Sequence, residues 1–346
     1  MDRLGWRSSV LTATILAGFG VAGPAQASLT LFQSFTAAGE SASTDGCGSS
    51  GATCTLDSLI PAGSTIQAAY LYSSTYANTT NPNVVTLSQG ANMVTPTFTP
   101  LGVNNGFLQA WRANVTGFVQ ANASLGSLTT WTVNEGTQTA AIDGEGLVIA
   151  YTNPAISNTQ TVAILDGFSS SSGDTSHINF SALPAGFTAT MQIGDGFSFD
   201  GSDPNNPADT AQVSTIAVNG TDLTTVAGHC DDSQTSPCED GSLITVGAIN
   251  AGPDNDPFTP FPCTGLTCIG MDHENYNLAN ILNVGDTSAT LTTVNPSGDD
   301  NIFLEVFEFS VPAQVVTTPE PSAIALLGFG LAGLGWARRR GSRRQQ

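Results

Sequence analysis

Short apolar segments bounded by Gly, Pro, Asn and Asp recur along the chain between Ser28 and Val311. Val, Ile, Thr, Tyr and Phe are frequent in them, as in β-strands, and no segment has a convincing 3.6-residue period. The sequence therefore predicts an all-β protein. The predicted strands are Thr65–Tyr72, Val84–Ser88, Met93–Phe98, Phe107–Val119, Thr129–Val133, Gly146–Thr152, Thr161–Phe168, Phe187–Ile193, Gln212–Val218, Leu243–Ile249, Ser288–Val294 and Ile302–Val311.

The last predicted strand, Ile302–Val311, is apolar on both faces near its start, as a central sandwich strand would be. Glu305 and Glu308 are expected on a solvated edge of it. Tyr276–Leu282 is ambiguous between a strand and a single helical turn. Many short antiparallel strands indicate a β-sandwich or jelly roll, as one sandwich or two packed together, with long loops pinned by disulfides.

The first 27 residues have the pattern of a secretory signal peptide. Arg3 and Arg7 precede the apolar stretch Val10–Val21, and Ala25-Gln26-Ala27 follows as an A-x-A cleavage site. Ala25 and Ala27 are therefore predicted to direct cleavage by signal peptidase. The mature chain is expected to begin near Ser28.

The last part of the chain has three consecutive parts. Pro319-Glu320-Pro321 is followed by the apolar run Ser322–Ala337 and then by a cluster of Arg residues, 338–344. As a helix, the apolar run would span about 24 Å, which is short for a hydrocarbon core of about 30 Å. It predicts a transient transmembrane helix with the Arg cluster in the cytoplasm. An ordinary anchor that is never cut is the alternative.

This three-part tail resembles the PEP-CTERM sorting signal, which exosortase-type transpeptidases read in Gram-negative bacteria. The resemblance covers about Pro319–Arg344. It implies a cell-surface or extracellular protein whose precursor is held briefly in the inner membrane and cut by an exosortase-like enzyme. Families with this signal are linked to exopolysaccharide-producing bacteria, which implies a role in exopolysaccharide or biofilm. The implied organisation is a signal peptide (1–27), a β-rich module (28–311), a linker (312–318) and the sorting signal (319–344).

The middle of the chain carries a second set of motifs. They are Trp111–Thr116, Thr130–Val133, Gly146–Pro154, Val162–Phe168, Gly194–Gly196 and Gly298–Phe303. Together they resemble a β-rich module of adhesin-like and matrix-like bacterial surface proteins. Asn114 stands where that family usually has Asp. The resemblance implies one undivided module and no established activity.

The charge of the chain is strongly acidic, with a formal net charge of −20. There is no Lys, and Arg112 is the only Arg between the two terminal signals. Such a surface repels nucleic acid and anionic membranes. It would attract Ca²⁺, which binds oxygen ligands, although turn residues and solubility alone also explain Asp-rich loops. The candidate structural calcium ligands are Asp195, Asp200, Asp203, Asp254, Asp256 and Asp272.

The six Cys residues form three close pairs along the chain. Because an exported chain meets an oxidising compartment, local disulfides are expected. Zinc is the alternative, since His229 adjoins one pair and His273 follows another. The predicted bonds are Cys47–Cys54, Cys230–Cys238 and Cys263–Cys268.

The sequence contains no HExxH, GxSxG or P-loop motif, so no catalytic residue is predicted. The favoured function is a non-enzymatic surface or matrix protein. One alternative is a Ca²⁺-dependent carbohydrate-binding module, with an exposed aromatic row as its signature. A secreted glycoside hydrolase is the other, and it requires two carboxylates facing each other across a cleft. The candidates for the aromatic row are Tyr70, Tyr72, Tyr76, Trp111 and Trp131, with Trp111 and Trp131 more readily read as core.

Overall fold

The computed structural model describes residues 29–48, 52–76, 81–104, 108–137, 142–169, 173–196, 214–227, 244–246, 275–295 and 301–317. The strands are β1 (Thr30–Ala38), β2 (Glu40–Gly48), β3 (Thr53–Leu59), β4 (Thr65–Tyr76), β5 (Thr86–Gln89), β6 (Asn92–Val94), β7 (Thr99–Asn104), β8 (Leu108–Asn114), β9 (Leu128–Asn134), β10 (Ile142–Thr152), β11 (Thr159–Asp166), β12 (Asp174–Phe180), β13 (Ala189–Gly196), β14 (Ser214–Val218), β15 (Thr221–Ala227), β16 (Ile244–Val246), β17 (Asn275–Asn277), β18 (Ser288–Val294), β19 (Asn301–Phe309) and β20 (Ala313–Thr317). One short helix, α1 (Thr116–Asn122), follows β8.

The strands form four antiparallel sheets that pack as two sandwiches, which confirms the predicted all-β class. The N-terminal sandwich has an outer sheet, β3-β9-β5-β6, and an inner sheet, β2-β10-β4-β8-β7. The C-terminal sandwich has an inner sheet, β1-β11-β19-β13-β16, with β17 also paired to β13. Its outer sheet is β15-β14-β18-β12-β20.

Each sandwich encloses its own apolar core because buried and exposed positions alternate along the outer strands. In β9 every second residue is buried, and Trp131 and Val133 pack into the N-terminal core. The indole of Trp131 donates to Ser58 Oγ at 2.9 Å, so its polar atom is satisfied. In the C-terminal core Phe307 and Phe309 stack with ring centroids 6.2 Å apart.

A third apolar layer joins the two inner sheets. It contains Tyr72, Val148, Ile164, Phe303 and Val306, all buried. β10 and β19 are therefore covered on both faces, which explains their nearly continuous apolar sequences. The prediction that Ile302–Val311 is a central strand is confirmed, since β19 lies between β11 and β13.

The chain passes between the sandwiches within a single residue, Gly39, which separates β1 from β2. Gly39 has a φ of 72°, and a side chain there would meet the carbonyl oxygen of Asn153 at 2.1 Å. The second crossing, 153–158 between β10 and β11, is bonded to the first: Gly39 N donates to Asn158 O at 3.0 Å and Asn153 N to Gly39 O at 2.7 Å. Glycine is therefore required where the two crossings meet.

The predicted strand Phe107–Val119 is wrong in its second half, where α1 begins. Asn114 Oδ1 accepts a hydrogen bond from Thr116 N at 3.0 Å, which turns the chain out of β8. The hydroxyl of Thr116 in turn accepts from Ala69 N at 2.9 Å. An Asn-x-Thr turn, rather than apolar periodicity, ends the strand.

Other differences concern weakly apolar segments. β1, β2, β3, β7, β12, β15 and β20 were not predicted, and Met93–Phe98 overlaps the short β6 only at its first two residues. The predicted linker 312–318 is mostly β20, which pairs with β12. Tyr276–Leu282 combines the end of β17 with a 3₁₀ turn at Leu278–Asn280, as its ambiguity suggested. Within the described residues, no helix has both the length and the apolar character needed to cross a bilayer. The predicted segment 322–337 lies outside them.

Candidate functional site

The single Arg of the β-rich region forms a buried ion pair between the two sandwiches. Arg112 on β8 pairs through Nη1 with Asp166 Oδ2 on β11. Tyr72 Oη, on β4, donates to the same carboxylate oxygen at 3.0 Å. The guanidinium carbon lies 3.3 Å from the centroid of the Phe32 ring, a cation–π contact. The ion pair therefore joins strands of both inner sheets.

Burial dominates the electrostatics of this pair. It raises the pKa of Asp166, an effect that the Arg112 charge and the hydrogen bonds from Arg112 and Tyr72 oppose. Burial likewise raises the pKa of Tyr72 well above its usual value. The side chains of Arg112 and Asp166 are only 18% and 7% exposed. The ion pair is therefore better suited to holding the two inner sheets together than to receiving a substrate.

A second acidic group at the same interface consists of Glu40 and Glu308. Glu308 Oε2 accepts from Ser41 Oγ at 2.9 Å and from Ala42 N at 3.0 Å, which bonds β19 to β2. Glu40 is 1% exposed and accepts from Gln67 Nε2 at 2.8 Å. Burial raises the pKa of Glu40 to about 7; the Gln67 hydrogen bond opposes this and the charge of Glu308 adds to it.

Glu305 lies on the opposite face of β19, inside the C-terminal sandwich. It is fully buried, so the predicted solvated edge is wrong for this residue, because β19 has neighbours on both sides. Burial raises the pKa of Glu305 to about 8, Asp174 on β12 raises it further, and Ser176 opposes the shift. A carboxyl group must reach the glycosidic bond to act on it, whereas Glu40 and Glu305 are enclosed by protein.

The bond between Cys47 and Cys54 is formed, as predicted. It links β2 to β3, one strand of each N-terminal sheet. Cys54 Sγ lies 3.9 Å from Glu145 Oε2, and Ser73 Oγ donates to Glu145 Oε1 at 3.2 Å. The two sulfur atoms and the carboxylate are close enough to hold a metal ion. With the sulfurs bonded to each other they are not thiolate ligands, and this group is not a calcium site.

Replacing Cys47 and Cys54 together by Ala is expected to lower the free energy of unfolding by roughly 2 kcal/mol. The bond closes a loop with a sequence separation of 7, and short loops give the smaller entropic gains. Denaturant unfolding without reductant measures the difference, and non-reducing peptide mapping checks the pairing. Equal stability of the two proteins would show that the bond does not restrain the unfolded chain.

The other predicted site residues fall in two groups. Asp195 lies within β13 and is fully buried, not in a loop as expected of a calcium ligand. The remaining candidates lie outside the described residues, and calcium binding stays a prediction. Those outside are Ala25, Ala27, Asp200, Asp203, Asp254, Asp256, Asp272, Cys230, Cys238, Cys263, Cys268, Pro319, Glu320 and Pro321.

The aromatic residues considered for a carbohydrate platform are mostly internal. Tyr70, Tyr72, Trp111 and Trp131 are each at most 8% exposed. The indole of Trp111 donates to Thr75 Oγ1 at 2.9 Å, which agrees with a core position. These four residues do not form an exposed row, and the interpretation of Trp111 and Trp131 as core is confirmed.

An open groove of about 640 Å³ lies where the edge strands of the two C-terminal sheets approach each other. Five uncharged polar side chains line it: Ser34, Thr36, Asn179, Ser181 and Gln314. They come from β1, from the end of β12 with the residue after it, and from β20. No sequence pattern predicts this groove, because its polar residues are ordinary Ser, Thr, Asn and Gln from three distant segments.

The C-terminal tail leaves the described fold from the groove's strand β20. Thr317, its last residue, pairs with Ser176 on β12. Residues 317–340 match the model of the PEP-CTERM protein-sorting motif. The chain carries a PEP-CTERM sorting motif. The PEP-CTERM motif implies an exported, cell-surface protein that is sorted at the membrane and processed by an exosortase-type system.

Three solved structures resemble this PEP-CTERM protein distantly. The chain is 12% identical to a peptide-N(4)-(N-acetyl-β-D-glucosaminyl) asparagine amidase, over 81% of this chain and 100% of that one, with a TM-score of 0.27. PNGase F from Flavobacterium meningosepticum is also 12% identical, over 82% of this chain and 100% of that one, with a TM-score of 0.27. A β-porphyranase from Bacteroides plebeius is 10% identical, over 78% of this chain and 36% of that one, with a TM-score of 0.22. These scores are too low to decide fold or activity. No curated protein matches the chain.

Proposed function

We propose that this protein is a non-enzymatic component of the cell surface or extracellular matrix of a Gram-negative bacterium. An exosortase-type enzyme would sort it to the surface, where it would associate with exopolysaccharide. The PEP-CTERM motif at residues 317–340 carries the proposal, because it follows a folded β-rich domain directly. The position of the predicted signal peptide at the other end supports export.

The interior of the domain supports a structural role. Its paired acidic groups and its only Arg connect the sheets: Arg112 with Asp166 across the inner sheets, and Glu308 with the Ser41–Ala42 segment. Such contacts hold layers together and leave these side chains enclosed. The strongly acidic composition favours a soluble, mutually repelling population of molecules outside the cell.

Replacing Pro319, Glu320 and Pro321 together by Ala is expected to block processing of the tail. The native protein recovered from the envelope should have an intact mass lacking the segment after the motif. The variant should keep its tail and remain with the inner membrane, because the transpeptidase no longer recognises it. Asp222→Asn, at an exposed position on β15, is the control and should be processed normally.

Three results would contradict the proposal. Recovery of full-length tail from the native mature pool would show that the apolar segment is a permanent anchor. Normal processing of the triple variant would show that another part of the chain is read. Release of new reducing ends from neutral or anionic polysaccharides by the purified protein would contradict its non-enzymatic character.

A further inference from the structure

The groove beside β20 has a lining with one chemical character. Ser34, Thr36, Asn179, Ser181 and Gln314 each offer both hydrogen-bond donors and acceptors. All five residues are exposed to solvent. Sugar hydroxyls also donate and accept, so such a lining can pair with them in several ways. A volume of about 640 Å³ is within the usual range of ligand sites.

The floor of the groove is apolar. It is formed by Phe180, Pro312 and Ala313, of which Phe180 and Ala313 are each 7% exposed. A pyranose ring has C–H groups on its faces and hydroxyls around its rim. The apolar floor can therefore contact the C–H face of a sugar ring, and the hydroxyl and amide side chains around it can bond the sugar hydroxyls.

The charge of the groove and of the molecule narrows the class of ligand. Among the residues that the structure describes, no ionisable side chain lines the groove. The chain has a net charge of −20. An acidic polysaccharide would be repelled without any local cation to hold it. A purely apolar ligand would cover five polar side chains without giving them hydrogen bonds, which is costly. Neutral saccharides avoid both penalties.

The walls of the groove are held in place before any ligand arrives. Ala313 N donates to Thr161 Oγ1 at 3.0 Å, and that hydroxyl is also 3.0 Å from the hydroxyl of Thr36. Ser181 N donates to Pro312 O at 2.9 Å. These bonds connect β1, β11, β12 and β20. A preformed site loses less ordering entropy on binding. Because Ala313 N already has its acceptor, the start of β20 is a poor edge for adding a peptide strand.

We propose that this groove binds a segment of a neutral polysaccharide. The proposal builds on the surface or matrix function given above and names the ligand class and the residues. Asn179 and Gln314 are cross-strand partners in register on β12 and β20, so their side chains lie side by side on one face of the outer sheet. Their amides can therefore bond neighbouring hydroxyls of one sugar unit.

The test uses the purified full chain in detergent and neutral hexasaccharides as probes: malto-, cello-, laminari- and mannohexaose. Isothermal titration calorimetry should find at least one that binds. The Asn179→Ala/Gln314→Ala variant should bind it at least tenfold more weakly. The control is Asn92→Ala/Asn134→Ala, which removes two exposed amides from the outer sheet of the other sandwich. It should bind like the native protein.

The outcomes separate this proposal from the function on which it rests. Failure of every neutral hexasaccharide to bind at millimolar concentration would overturn the groove assignment, and so would binding that the double variant leaves unchanged. Tighter binding of an oligogalacturonate than of any neutral probe would also overturn it. Processing of the PEP-CTERM tail is measured independently by intact mass, so the sorting result can stand when the groove assignment fails. Unchanged melting temperatures of both variants show that the fold is intact.

Discussion

Arg112→Met is expected to lower the free energy of unfolding by about 3–5 kcal/mol, because it leaves the Asp166 carboxylate buried without its cation. The side chains are 18% and 7% exposed, so solvent replaces little of the lost interaction. The contact of the guanidinium with the Phe32 ring disappears as well. Since Arg112 and Asp166 belong to different sandwiches, the variant should also unfold in two steps where the native protein unfolds in one.

Denaturant unfolding followed by tryptophan fluorescence and by circular dichroism measures both effects. Trp111 and Trp131 report on the N-terminal sandwich, whereas circular dichroism reports on all strands. Two controls separate charge from shape. Arg112→Lys keeps the charge and loses the planar stack, so it should be intermediate. Arg112→Met with Asp166→Leu removes both charges and should recover much of the loss. A single variant as stable as the native protein would show that the ion pair contributes nothing.

Glu305→Gln is expected to remove a large part of the pH dependence of stability between pH 5 and pH 8. The pKa of Glu305 is raised from 4.5 to about 8 in the folded protein, chiefly by burial. In this range the folded protein holds a proton that the unfolded chain has released. The stability that Glu305 contributes is therefore fully present below pH 4.5 and is lost as the pH rises toward 8, at about 1.4 kcal/mol for each pH unit. Gln mimics the protonated acid and has no such loss.

Urea unfolding at pH 5, 6, 7 and 8 gives the two profiles. The native protein should lose stability steadily across this range, and the Glu305→Gln line should be flatter. The stability profile of Asp222→Asn, a substitution at an exposed position, should run parallel to that of the native protein. Parallel native and Glu305→Gln profiles would show that Glu305 does not hold a proton in the folded protein.

The sequence was sufficient for the class of fold because alternating apolar residues mark several outer strands, among them β9, β14 and β18. It also placed β19 at the centre of a sheet, since a strand covered on both faces has few polar positions to spare. Trp131 followed from the same alternation. These are local patterns, and a sandwich that buries one face of each strand preserves them.

The sequence could not show β2, whose residues Glu40–Gly48 include no large apolar side chain. This strand is buried because β3 covers one of its faces and the second sandwich covers the other. Ser43, Thr44 and Asp45 are each at most 7% exposed. The same covering encloses Glu40. An acidic composition normally indicates solvated side chains, and only the packing of two sandwiches reverses that expectation.

The end of β20 has a consequence for how the molecule would stand on a cell. Thr317 is still paired within a sheet, and Thr318 alone separates it from Pro319 in the sequence. An attachment made at the PEP-CTERM motif would therefore leave no long stalk between domain and surface. The angle between each domain and the cell surface would vary little, and the width of the domain would set the distance between neighbouring molecules. A coat of such molecules would be a layer of uniform height with the β20 side of the C-terminal sandwich nearest the cell.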